Sequence, residues 1–142
     1  MPAMSTVLSE MIGPLLGQAH QAHRSLVEPA LAELGLGVKE FGALALLTDE
    51  GPLSQQRLGT RQRIDRTTMV ATVDALEAGG LVERRRDPED RRAYALHTTA
   101  HGRRVLAEAA EAVARAERAF LAPLPAPDRR RLKEMLRAVL VA

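Results

Sequence analysis

"GGLVERRRDPEDRRAYALHTT", residues 79–99, carries two short β-patterned runs, Leu81 to Arg86 and Arg92 to Thr98, joined by an acidic and arginine-rich turn. A two-stranded ribbon is at best marginally stable alone in water. These runs therefore need helices to lean on. Leu81, Val82, Tyr94 and Leu96 are the apolar residues expected to make that contact, while the charged tip projects outward.

The segments before the ribbon supply the helices. Ser54 precedes "QQRLGTRQ", where its hydroxyl can accept from the exposed N–H groups of a helix start. "RID" makes a turn, and Asp65 is placed to cap "RTTMVATVDALEAG", whose Met69, Val73 and Leu76 recur on one face. Gly79-Gly80 closes that helix as an αL C-cap. Two helices joined by a tight turn, the second capped and amphipathic, followed at once by a hairpin, describe a winged helix-turn-helix. Ahead of them, the pattern predicts a helix from about Lys39 to Thr48 that turns Phe41, Leu44 and Leu47 inward and stops at "DEGP".

The chain has 142 residues, 46% of them hydrophobic and 27% charged, which suits one globular domain. Only 2% are aromatic, so the core rests on Leu, Ala, Val and Met, and the expected class is mainly α with a small β-hairpin wing. The absence of cysteine excludes disulfides, Cys-zinc sites and thiol redox sensing. No basic segment followed by an apolar run opens the chain, and no window approaches the roughly 18 apolar residues of a membrane span. A cytoplasmic protein without a membrane partner is expected. Net charge is only +2, yet Arg57, Arg61, Arg63, Arg66, Arg84, Arg85, Arg86, Arg91 and Arg92 crowd the middle of the chain among acids. A solvated face and a nucleic-acid footprint both look like this.

The run "IDRTTMVATVDALEAGGLVERRRDPEDRRAYALHTTAHGRRVL", Ile64 to Leu106, resembles the core of the MarR family of transcriptional regulators, and Asp90-Arg91-Arg92 matches its Asp-x-Arg wing motif. The order of elements is similar over nearly the whole chain. The resemblance implies a homodimer on double-stranded DNA, with the fourth helix in the major groove and the wing arginine, held by the wing aspartate, in the adjacent minor groove. Those roles fall on Arg92 and Asp90. An always-charged, planar fork suits the narrow, electronegative minor groove of A·T-rich DNA.

On the fourth helix the outward face is expected to present Arg66, Thr67, Thr68, Val70 and Ala71 to bases and phosphates. The family more often has polar or basic residues where Val70 and Ala71 stand, and these two suit thymine methyls. Gln62 is a second departure, at a position that is usually apolar. Ser54 and Gln55, at the start of the third helix, are candidate phosphate contacts. Arg84 and Arg86 alternate with Arg85 along the first wing strand and give it a basic face suited to backbone contacts.

Toward the N-terminus, Val7, Leu8, Met11, Ile12, Leu15, Leu16, Leu26, Val27 and Leu31 recur at helical steps and predict one long first helix. Gly13-Pro14 and Pro29 interrupt it, Pro14 as the first helical residue of the main segment and Pro29 as a kink, and "LGLG" ends it. After the wing, Thr99 caps a long helix with a seam of Leu106, Ala109, Val113, Ala116 and Phe120. "PLPAPD" breaks it, and Leu132, Met135, Leu136, Val139 and Leu140 line a last helix.

So much apolar surface at the ends needs cover, either from these helices folding back on their own subunit or from a second copy; the second copy is the economical solution, and the resemblance implies the same. The expected organisation is a single MarR-type domain with a winged lobe over residues 36–100 and dimerisation helices over 5–35 and 100–142. Two recognition helices related by a twofold axis read a pseudo-palindrome with half-sites about 10 bp apart. A ligand that alters the angle between lobes would then alter affinity. The resemblance implies repression and a weak-acid or phenolic effector, for which His20, His23 and Arg24 on the first helix are the candidates.

His97 and His101 are four apart, but one belongs to a strand and the other follows a turn, so no metal site is expected. No nucleophile and base pair, Gly-rich phosphate loop or carboxylate pair in an apolar setting stands out, so neither an enzyme nor a cofactor is expected. The alternative is a winged-helix module that joins proteins without reading DNA. Val70 and Ala71 favour it, whereas Arg66 and Asp90-Arg91-Arg92 oppose it.

Overall fold

A computed structural model describes residues 5–90 and 92–141, so Arg91 lies outside the described residues. The elements run α1 Thr6–Ser9, α2 Ile12–Ala32, α3 Val38–Glu50, β1 Leu53–Ser54, α4 Gln55–Gln62, α5 Arg66–Ala78, β2 Val82–Arg86, β3 Tyr94–Thr98, α6 Ala100–Phe120 and α7 Ala126–Leu140. The fold is mainly helical with a small antiparallel wing, in the order of a winged helix-turn-helix. Two compact units form: one spans Glu28–Val113, the other joins the segments before Glu28 and after Val113.

In the first unit, α3, α4 and α5 bury Leu44, Leu47, Leu58, Met69, Val73 and Leu76. The hairpin rests on this core through Leu81, Val82 and Leu96, all buried. It is also wider than the sequence pattern indicates, because Leu53 and Ser54 pair with Leu96 and Ala95 to give a sheet of order β1-β3-β2. A third strand relieves the marginal stability of a lone ribbon.

Tyr94 differs from expectation. It is half exposed, because the register sets it opposite Arg86 at the outer end of the ribbon, where the Arg86 guanidinium lies 5.7 Å from its ring centre. At the end of α5, Gly79 remains right-handed helical and Gly80 alone takes positive φ, at +72°.

The start of α6 is fastened to the end of α5. Thr99 Oγ1 accepts from the Gly102 N–H at 2.9 Å and donates to the Gly80 carbonyl at 2.7 Å. A Cβ on Gly102 would collide with the Leu81 carbonyl, so this helix start requires glycine.

The interruption expected at Gly13-Pro14 divides the first helix in two, and the break falls ahead of the pair rather than at Pro14. α1 ends at Ser9 and α2 begins at Ile12. Pro14 is the cause: it has no N–H for the Glu10 carbonyl and its ring crowds that group, so the chain breaks one turn before it. α2 then continues past Pro29 to Ala32. His23 Nε2 lies 2.7 Å from Glu117 Oε2, and its ring meets Phe120 edge-on at 5.5 Å, tying α2 to the end of α6. Among the described residues, no helix is long and apolar enough to cross a membrane.

Candidate nucleic-acid interface

The interface is built around α5. Asp65 Oδ1 accepts from the Thr68 N–H at 2.8 Å and its Oδ2 accepts from the Thr68 hydroxyl at 2.7 Å. The backbone bond first, and the hydroxyl bond second, hold the Asp65 carboxyl below the ordinary carboxylate range. Thr68 is therefore engaged in the cap, and its carbonyl in turn accepts from buried Thr72. Met69, Thr72, Val73 and Leu76 face the core, which leaves Arg66, Thr67, Val70 and Ala71 exposed in one outward strip.

Ser54 caps α4 by accepting from the Arg57 N–H at 3.2 Å. Between α4 and α5 lies a groove of about 660 Å³ lined by Gln55, Gln56, Thr60, Arg63 and Arg66, with Met69 among its walls. Gln56 and Thr60 are additions to the residues the sequence singles out, and Arg63 comes from the arginine cluster. Arg63 ends α4 in the left-handed region, at φ 55°, where no glycine or asparagine signals such a turn.

Gln62 makes a polar contact at its position. Its Nε2 donates to the Lys39 carbonyl at 3.2 Å, beside Gly42, where any Cβ would approach to 2.8 Å. Its Oε1 is buried without a partner among the described residues.

On the wing, the helix-facing side of β2 changes character outward along the strand. Val82 is buried, Arg84 turns back onto α5, and Arg86 lies over Tyr94. Arg84 Nη2 donates to Asp74 at 3.0 Å, Nε to Glu77 at 3.2 Å and Nη1 to Gln55 Oε1 at 3.2 Å. Arg85, on the other side, pairs with Glu83. At the tip, Asp90 Oδ1 accepts from the backbone N–H of Arg92 at 3.0 Å, so its hold on exposed Arg92 runs through the main chain. Asp87 shapes the same turn by accepting from the Glu89 N–H at 2.9 Å.

Of the candidate ligand residues, His20 and Arg24 are exposed on α2, while His23 is half-buried against Glu117 and Phe120.

A capped helix with one buried and one exposed face, flanked in sequence by a capped shorter helix and a wing, is the arrangement of a winged helix-turn-helix. Residues 34–93 match the model of the MarR family. The HTH-type transcriptional repressor Rv2887 of Mycobacterium tuberculosis is 36% identical over 126 residues, covering 88% of this chain and 90% of that protein. The chain spans 58% of the length of another curated relative, from Thauera aromatica, and 63% of one from Pseudomonas putida.

Among solved structures, the repressor CouR bound to a 23-mer DNA duplex superposes with a TM-score of 0.88 at 33% identity, covering 98% of this chain and 99% of that one. Bordetella bronchiseptica BpsR, whose DNA binding is regulated by 6-hydroxynicotinic acid, superposes at 0.84 with 25% identity, covering 99% of each chain. The chain belongs to the MarR family of transcriptional regulators.

Proposed function

We propose that this regulator is an effector-responsive repressor that binds a pseudo-palindromic DNA duplex as a homodimer. The observation that carries the reading is α5: one face fully buried, its start capped by Asp65, and an outward strip of Arg66, Thr67, Val70 and Ala71 with no role in the core. In the major groove, Arg66 and Thr67 would meet phosphates and base edges while Val70 and Ala71 meet thymine methyls. Thr68 would act by holding the helix start, and Ser54 and Gln55 would present the first turn of α4 to a phosphate. Arg92 would enter the minor groove, with Asp90 shaping the turn that aims it and Arg91 and Arg86 nearby in sequence adding positive charge. The likeness to DNA-bound CouR supports this assignment.

Homodimerisation is supported by the apolar residues that the terminal helices leave exposed, Val7, Ile12, Leu136, Val139 and Leu140 among them. The effector is a weak aromatic acid, by analogy with the control of BpsR by 6-hydroxynicotinic acid. His20, His23 and Arg24 share one side of α2 by their spacing and would receive its carboxylate, which must compete with Glu117 for His23.

The test is selection of bound duplexes from a randomised pool, followed by affinity for the winner across a salt series. The reading predicts a pseudo-palindrome and a steep salt slope. No consensus, with weak binding only, would transfer the fold to a protein-joining role.

A further inference from the structure

Three consecutive arginines on β2 meet three different fates. Arg85 pairs with Glu83 on its own strand, and Arg86 lies over Tyr94 across the ribbon. Arg84 reaches out of the sheet to two helices at once: Gln55 is the first residue of α4, while Asp74 and Glu77 lie on α5. Asp74 and Glu77 are three apart, so they stand together on one side of α5. All three guanidinium nitrogens are used, each on a different side chain.

A planar fork with fixed donor directions is suited to holding three acceptors in a set arrangement, which a lysine ammonium is not. The partners are partly exposed, so the cluster adds little to overall stability. Its effect is geometric: the base of the wing, the recognition helix and the start of its support helix are joined at one group.

We propose that Arg84 is a positioning residue, whose bonds to Asp74, Glu77 and Gln55 fix the angle between wing and recognition helix and thereby set specific DNA affinity without touching DNA. The inference rests on the DNA-binding reading above and departs from the expectation that Arg84 contacts the backbone itself. The two roles give opposite signs. If Arg84 met a phosphate, neutralising its two acidic neighbours would free it and remove repulsion, so binding would tighten. If it positions the wing, the same change releases the clamp and binding weakens.

The experiment uses the full chain, the selected duplex and a scrambled duplex across a salt series, with Arg84→Ala, the pair Asp74→Asn and Glu77→Gln, and all three together. The clamp predicts that both Arg84→Ala and the acid pair lower specific affinity roughly 10-fold, and that the triple variant is no weaker than Arg84→Ala. The salt slope of Arg84→Ala should stay unchanged, since no phosphate contact is lost. Tighter binding by the acid pair, or a slope reduced by about 0.9 in Arg84→Ala, would overturn the proposal.

A second readout is independent of DNA. The chain has no cysteine, so spin labels at Thr67→Cys and Glu89→Cys report the spacing of recognition helix and wing tip alone. Their distance distribution should broaden in Arg84→Ala and in the acid pair; an unchanged distribution overturns the clamp. Failure of the unsubstituted chain to bind any selected duplex would instead count against the DNA reading, and the label distances would still decide the clamp.

Discussion

The winged lobe buries its apolar residues within one chain, whereas the terminal helices leave theirs outside. Leu44, Leu58 and Val73 have no exposed surface, while Val139 and Leu140 of α7 are 81% and 79% exposed and Ile12 of α2 is 70% exposed. Both regions are built mainly of helices, so the difference lies in what their apolar faces meet. The lobe is a finished fold that turns a polar and lightly apolar strip outward; the terminal unit leaves an apolar surface of the kind that marks an interaction site. In the proposed reading, recognition and assembly fall to separate stretches of the same chain.

The largest effect should come from opening the finished core. Leu58→Ala removes a side chain with no exposed surface and should cost about 2–5 kcal/mol. Chemical denaturation measures it, and a loss below about 1 kcal/mol would mean that the lobe is not the well-packed half.

Next comes the proposed interface on the terminal helices. Leu136→Glu with Val139→Glu should give monomers in sedimentation and weaken duplex binding on the order of 100-fold, because two linked half-sites are no longer engaged together. An unchanged sedimentation profile would erase the contrast.

Arg92→Ala sharpens it from the other side. Specific affinity should fall about 10-fold while sedimentation and melting temperature stay as they were. Equal affinity would remove the wing tip from the interface.

The smallest effect concerns the cap of α5. Asp65→Ala should lower the melting temperature by roughly 2–4 °C in a thermal scan at neutral pH. Because the folded carboxyl is held below its unfolded value, the cap contributes fully above the unfolded pKa and is lost as pH falls through the lower folded one. The difference between the two proteins should therefore shrink only under acid conditions; a difference that persists unchanged at low pH would contradict the bond pattern at Thr68.

Much of the lobe is legible in the sequence because its signals are local. Ser54, Asp65 and Thr99 announce helix starts, and each accepts the expected backbone N–H. The steps from Met69 to Val73 and Leu76 mark the buried side of α5. What stays hidden depends on partners distant in sequence. β1 is two residues long, too short for any alternation to register, and exists because β3 offers an edge. Tyr94 reads as core from its type, but only the strand register reveals that it stands beyond the helices.

Arg84 is the clearest case. Its alternation with Arg86 suggests an outward basic face, yet Val82 begins the same face in the core, and the acids that hold Arg84 sit seven and ten residues earlier on another element. Arg63 carries no residue-type signal for its left-handed turn. Gly13-Pro14 signals the break after α1, but its place is set one turn upstream, at the carbonyl that Pro14 cannot bond.

The most direct test of the division between a complete lobe and an incomplete terminal unit is sedimentation of the full chain alone and with its selected duplex. The account predicts a dimer without DNA and two chains on each duplex with it. A chain that remains monomeric and occupies the duplex one to one, at undiminished affinity, would contradict it.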